Sequence, residues 1–108
     1  MSEVKYPPWY AQLKEKHGAF VKALEQLGEA VRQEGPLPAK TAHLIQLAAA
    51  AAIRSQGSVH SHTRRALQAG ATPEEICHAL IMLTSTIGFP TVSAALSWAH
   101  EVIEKEKN

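Results

Sequence analysis

Apolar positions recur every three or four residues along almost the whole chain, with charged and polar residues between them. That period belongs to helices, and no alternating apolar–polar run points to a strand. The pattern predicts an all-α chain of about six helices. Residues 1–8 read as a short tail ending in Pro7-Pro8, and a first helix starts there with Pro8 near its first position. Trp9, Leu13 and Tyr10 are expected on its inner face. Gly18 interrupts the pattern. Phe20, Leu24, Leu27 and Val31 then form an apolar stripe that Gly35-Pro36 ends. A third helix begins near Pro38 and carries Leu44, Ile45, Leu47 and five consecutive alanines, Ala48 to Ala52, towards Ile53.

A fourth helix is expected from about Ser58 to Ala69, with Gly70 as a left-handed cap. Thr72-Pro73-Glu74-Glu75 is a strong helix start. Thr72 suits the cap, Pro73 the first position and Glu75 the third, as a capping box requires. This fifth helix is read through Ile76, Leu80 and Leu83 to Ile87. Gly88-Phe89-Pro90 restarts the chain into a last helix with Val92, Ala95, Leu96, Ala99 and Ile103 inward. Its charged end, Glu101 to Asn108, is expected to fray.

The length of 108 residues suits one domain, 1–108. The apolar fraction of 45% suffices for a core, yet a monomer of this size buries a limited share of its surface, which favours self-association. The net charge of +1 gives no basis for nucleic-acid binding. The longest apolar stretch, Leu47 to Ile53, is mostly alanine and too short to span a membrane. Neither a nucleic-acid nor a membrane partner is therefore expected. Cys77 stands alone, so an intramolecular disulfide is excluded and a cytoplasmic location is expected.

Candidate chemistry gathers in the middle of the chain. Ser55, Ser58 and His62 are spaced three and four apart, which places them on one helical stripe if the helix reaches back that far. A serine hydroxyl is a poor nucleophile unless a base activates it, and capping or turn roles are the plain alternatives for Ser58 and Ser55. His62 is the strongest candidate for proton transfer, since an imidazole titrates near neutrality. A structural histidine in a helix interface is its alternative. His43 falls at the border of the core stripe of its helix. If it faces His62, the two imidazoles either share protons or hold a metal. Arg64 and Arg65, together with Arg54, flank these positions, and a solvated basic face is their plain reading. His60 and His62 diverge by about 200° on a helix and do not meet on one ion. No recognised metal motif is present. Cofactors are therefore expected to be absent, with a divalent metal on His43 and His62 as the exception to test. Cys77 reads as a packed side chain.

The segments Leu37-Pro-Ala-Lys40, Arg64-Arg-Ala-Leu-Gln-Ala-Gly-Ala-Thr-Pro-Glu-Glu-Ile76 and Gly88-Phe89-Pro90 resemble the carboxymuconolactone decarboxylase and alkylhydroperoxidase D (AhpD)-like superfamily, over about 37–103. The peroxidase branch carries a Glu, eleven residues, then Cys-x-x-Cys-x-x-x-His. Here the same frame reads His43, eleven residues, then Ser55-x-x-Ser58-x-x-x-His62. Both thiols and the carboxylate are replaced, and thiol redox chemistry needs sulfur. The decarboxylase branch keeps a His in a segment resembling His-x-Arg-x-Ala-Leu, which here reads His62-Thr-Arg64-Arg65-Ala66-Leu67.

The resemblance implies an AhpD-like helical domain assembling as a homotrimer or homohexamer, with a small-molecule site between helices. It implies a decarboxylase-like (lyase) activity with His62 as general acid or base, assisted by His43, with Arg64 or Arg65 holding an anion. A peroxidase or antioxidant activity is what the superfamily's other branch would imply. A non-catalytic oligomer binding a ligand or metal through His43 and His62 is the remaining alternative.

Overall fold

The computed structural model describes residues 8–107, and seven helices with no strand occur among them. The tail expected over residues 1–8 lies outside the described residues except for Pro8, which opens the first helix as its spacing predicts. Backbone contacts divide the chain into two compact units, Met1–Pro36 and Leu37–Asn108.

The first unit holds α1 (Pro8–Lys16) and α2 (Gly18–Gln33). Tyr10 donates its hydroxyl hydrogen to Glu25 Oε2 at 2.9 Å, and Lys14 lies 3.6 Å from the same oxygen. Trp9, expected inward, is exposed, and Tyr10 and Leu13 are half-buried. Within α2, Val21 is buried while Phe20, Leu24, Leu27 and Val31 all stand exposed. The stripe is amphipathic as its spacing requires, but its apolar side is open.

The second unit holds α3 (Ala39–Ala52), α4 (Gln56–Gln68), α5 (Pro73–Ile81), α6 (Thr84–Ile87) and α7 (Phe89–Glu106). Three residues join α3 to α4, which makes the pair a helical hairpin. The core joins Leu47, Val59, Ile76, Leu80 and Ile103 with alanines at 50, 51, 66, 71, 95 and 99. Each large aliphatic side chain buried here contributes about 1.5–3 kcal/mol. The alanines let neighbouring helix backbones approach closely. Cys77 packs partly buried against this core, as expected of a lone helical cysteine.

Helix boundaries follow local chemistry. α4 begins before Ser58, because Ser55 is the cap and its hydroxyl accepts the Ser58 N–H at 3.3 Å. α4 ends as expected, with Gly70 at φ 100° and the Ala71 N–H reaching back to the Ala66 carbonyl at 2.9 Å. At Thr72 and Glu75 the full capping box forms, with reciprocal bonds of 2.9 and 3.0 Å.

The helix expected to run from Thr72 to Ile87 is instead interrupted after Ile81. Thr84 donates its hydroxyl hydrogen to the Ile81 carbonyl at 2.7 Å, a side-chain alternative to the helical ladder. Gly88 at φ 90° then turns the chain into α7. α7 continues to Glu106, beyond the point where its charged end was expected to fray.

Candidate functional site

The α3–α4 hairpin places the site. Along α3, His43, Leu47, Ala50 and Ala51 share one face, and all four are buried. Along α4, Val59, Thr63 and Ala66 form the matching buried face, with His62 half-buried beside it. The two histidines meet across this seam. Their Nδ1 atoms are 3.5 Å apart, and their ring centroids 5.7 Å apart with planes inclined by 37°. His43, assigned from its spacing to the border of the core stripe, is 7% exposed and so belongs to the core side. Two nitrogens at this distance cannot both carry an inward proton. The pair therefore holds at most one proton between the facing atoms.

The other expected site residues fall around this pair. Ser58 is one turn before His62 on the same side of α4 and is half-buried. Ser55 precedes the helix and is engaged as its cap, which corrects the expectation that Ser58 caps α4. Helical geometry turns Arg65 about 60° from His62 and Arg64 about 160° from it. Both arginines are half-buried. The remaining histidines lie elsewhere. His60 bonds Glu101 on α7 at 2.8 Å, and His17, His78 and His100 are exposed. Among the described residues no group of three or more His, Cys, Asp or Glu side chains converges on a common point.

Two features of the α3–α4 hairpin are not foreshadowed by the motif. Arg54, in the α3–α4 turn, adopts φ 57°, and its Nη2 donates to Thr91 Oγ1 on α7 at 2.7 Å. The Ser55 N–H reaches the Ala50 carbonyl and the Arg54 N–H the Ala51 carbonyl, both at 3.0 Å, so Arg54 occupies a helix-terminating position that usually belongs to glycine. Thr63 is fully buried, and its hydroxyl oxygen has no hydrogen-bond partner among the described residues. A β-branched polar residue inside the Val59–Ala66 stripe is the signal that would have found it.

Among the described residues no helix is long and apolar enough to cross a membrane. No curated protein matches the chain. The fold matches the crystal structure of a carboxymuconolactone decarboxylase family protein from Legionella pneumophila in its apo form, with a TM-score of 0.75 and 26% sequence identity, over 93% of this chain and 88% of that one. The model of the carboxymuconolactone decarboxylase family matches residues 18–101 and so reaches back into α2, further than the segments that carry the resemblance in the sequence. The chain thus belongs to the carboxymuconolactone decarboxylase family, within the AhpD-like superfamily, as a member without the paired cysteines.

Proposed function

We propose that this protein acts on a small carboxylated molecule bound between α3 and α4, with His62 as general acid or base. The observation that supports this most is the pairing of buried His43 with half-buried His62 at 3.5 Å between Nδ1 atoms. The partial exposure of His62 leaves it open to a ligand, while His43 is fixed in the core wall. A proton taken from an acidic C–H or carboxyl group by His62 leaves an imidazolium whose facing nitrogen can donate to neutral His43. In the reverse direction, the same proton returns to a carbanion or enolate carbon, as a decarboxylation requires after carbon dioxide leaves. Arg65, closer in direction to His62 than Arg64, suits the carboxylate of the ligand. Ser58 offers a hydroxyl one turn away. Hydroperoxide reduction through paired thiols has no place in this reading, because Cys77 is the sole cysteine.

The test is turnover of small carboxylated lactones by the purified protein and by His62→Ala. A loss of about 100-fold or more in kcat/KM is expected for an acid–base residue. Equal turnover by the variant would remove His62 from the chemistry. Saturable ligand binding without turnover in either protein would favour the non-catalytic binding oligomer. The assembly proposed for this site is a homotrimer or homohexamer, supported by the open apolar stripe of α2.

A further inference from the structure

The two imidazoles meet unequally. His43 is buried in the core wall of α3, whereas His62 is half-buried on α4. They face each other through one nitrogen apiece, with the two Nδ1 atoms 3.5 Å apart, within reach of a hydrogen bond. A neutral imidazole has one N–H and one bare nitrogen. A bond between two neutral rings therefore needs one Nδ1 protonated and the other bare.

Which ring donates decides what the pair can do. Nδ1 and Nε2 point to different sides of an imidazole, and the bond made by one sets the protonation of the other. For His62, the more exposed of the two, Nε2 is the nitrogen turned away from His43. To act as a base at that atom, His62 must leave Nε2 bare and carry its own proton on Nδ1, facing His43. The Nδ1 of His43 must then be bare, which puts the proton of the neutral His43 ring on its Nε2. The opposite arrangement, with His43 as donor, would protonate His62 on Nε2 and disarm it as a base. A hydrogen-bond acceptor behind Nδ1 fixes the working tautomer of the histidine in Ser-His-Asp triads, and its loss there is costly because the wrong tautomer forms.

We propose that His43 is a positioning residue that holds His62 in the Nδ1–H tautomer, so that His62 takes and returns the substrate proton at Nε2. This rests on His62 being the proton-transfer residue of the function above, and it adds the reacting atom and the part played by His43. In the forward step a C–H or O–H bond of the bound molecule breaks, its electron pair stays on carbon or oxygen, and an Nε2–H bond forms on His62. The resulting imidazolium keeps its Nδ1–H directed at the bare Nδ1 of His43. When Nε2 gives the proton back, both rings return to their starting tautomers.

The experiment is 15N NMR of the full chain labelled at its six histidines, at about pH 8, above the ordinary imidazole range. The signals of His62 are identified by their loss in His62→Gln. A protonated Nδ1 and a bare Nε2 are expected for His62. In His43→Leu, which fills the space but accepts no hydrogen bond, His62 should lose this preference and shift towards the Nε2–H form. In His43→Asp, whose carboxylate only accepts, the Nδ1–H form should persist. Circular dichroism shows whether each variant is folded. His62 protonated on Nε2 in the wild-type chain would overturn the proposal without any variant at position 43, so the test survives a His43→Leu that fails to fold. An unchanged His62 tautomer in folded His43→Leu would overturn it too, since a merely structural His43 would leave that signature in place. No substrate enters the measurement. The wrong tautomer beside a large loss of turnover in His62→Ala would sink the role of His43 alone, and the right tautomer beside equal turnover would sink the function above alone.

Discussion

Thr63 lies fully buried on the same face of α4 as Val59 and Ala66, and its hydroxyl has no partner among the described residues. An unsatisfied buried hydroxyl costs about 1–3 kcal/mol, whereas an apolar group of the same shape costs nothing of the kind. Thr63→Val should therefore stabilise the protein by about 1 kcal/mol, read as an upward shift of the urea midpoint. A downward shift would mean that the hydroxyl is satisfied in solution. At this scale the sequence exposed the histidines better than the serines. The i, i+3, i+4 spacing linked Ser58 to His62, and the resemblance to the superfamily frame, with its eleven-residue interval, suggested His43 as the residue facing them. It did not separate a cap from a first-turn residue three positions later. That distinction depends on where the α3–α4 turn ends, and the turn is set by Arg54 in a conformation that its side chain does not advertise.

Among the elements, α5 has the most explicit beginning. Glu75 accepts the Thr72 N–H and also faces the Lys40 ammonium from α3, at 3.2 and 3.4 Å from its two oxygens. The Thr72 backbone hydrogen bond, and after it Lys40, hold the Glu75 carboxyl below its ordinary value near 4.5. A carboxyl whose folded-state pKa is depressed adds stability above its unfolded pKa and loses it as the pH falls through the folded one. The contribution is therefore present near neutrality and is lost in acid. Glu75→Gln should lower the urea midpoint at about pH 7, and by less and less as the pH falls through the folded-state pKa of wild-type Glu75. A loss that stays the same as the pH falls would assign the effect to shape rather than charge. The start of α5 was legible because capping is local in sequence. Its end was not, since Leu83 and Ile87 continue the apolar period while the Thr84 hydroxyl diverts the Ile81 carbonyl from the ladder.

For the whole molecule, the apolar pattern told which positions seek burial but not which partner buries them. α7 and α2 are both periodic. Val92, Ala95, Ala99 and Ile103 of α7 are buried in the second unit, while Phe20, Leu24, Leu27 and Val31 of α2 remain exposed. A stripe of this width on one helix is a surface that association would cover. We expect the wild-type chain to sediment as a trimer or hexamer, and Leu27→Glu with Phe20→Glu to shift it towards monomer in analytical ultracentrifugation. An unchanged sedimentation coefficient would place the contact elsewhere. The helical class and the order of the long helices were readable from periodicity, whereas the His43–His62 meeting followed only from the superfamily frame, on the condition that His43 fills its first position. The openness of α2 was not readable, because a single chain's pattern does not separate contacts within a copy from contacts between copies.

Two alanines of α3 have a consequence for the histidines from two turns away. Ala50 and Ala51 lie two turns along the same face as His43, against a core that includes Val59 and Ala66 of α4. Their methyl groups act as a gauge block that fixes the clearance of the hairpin. A bulkier residue there would wedge the two helices apart. The 3.5 Å gap between the rings would then widen with both imidazoles intact. A descendant of this chain could thus lose the chemistry of the pair while every residue of the pair still stood in place.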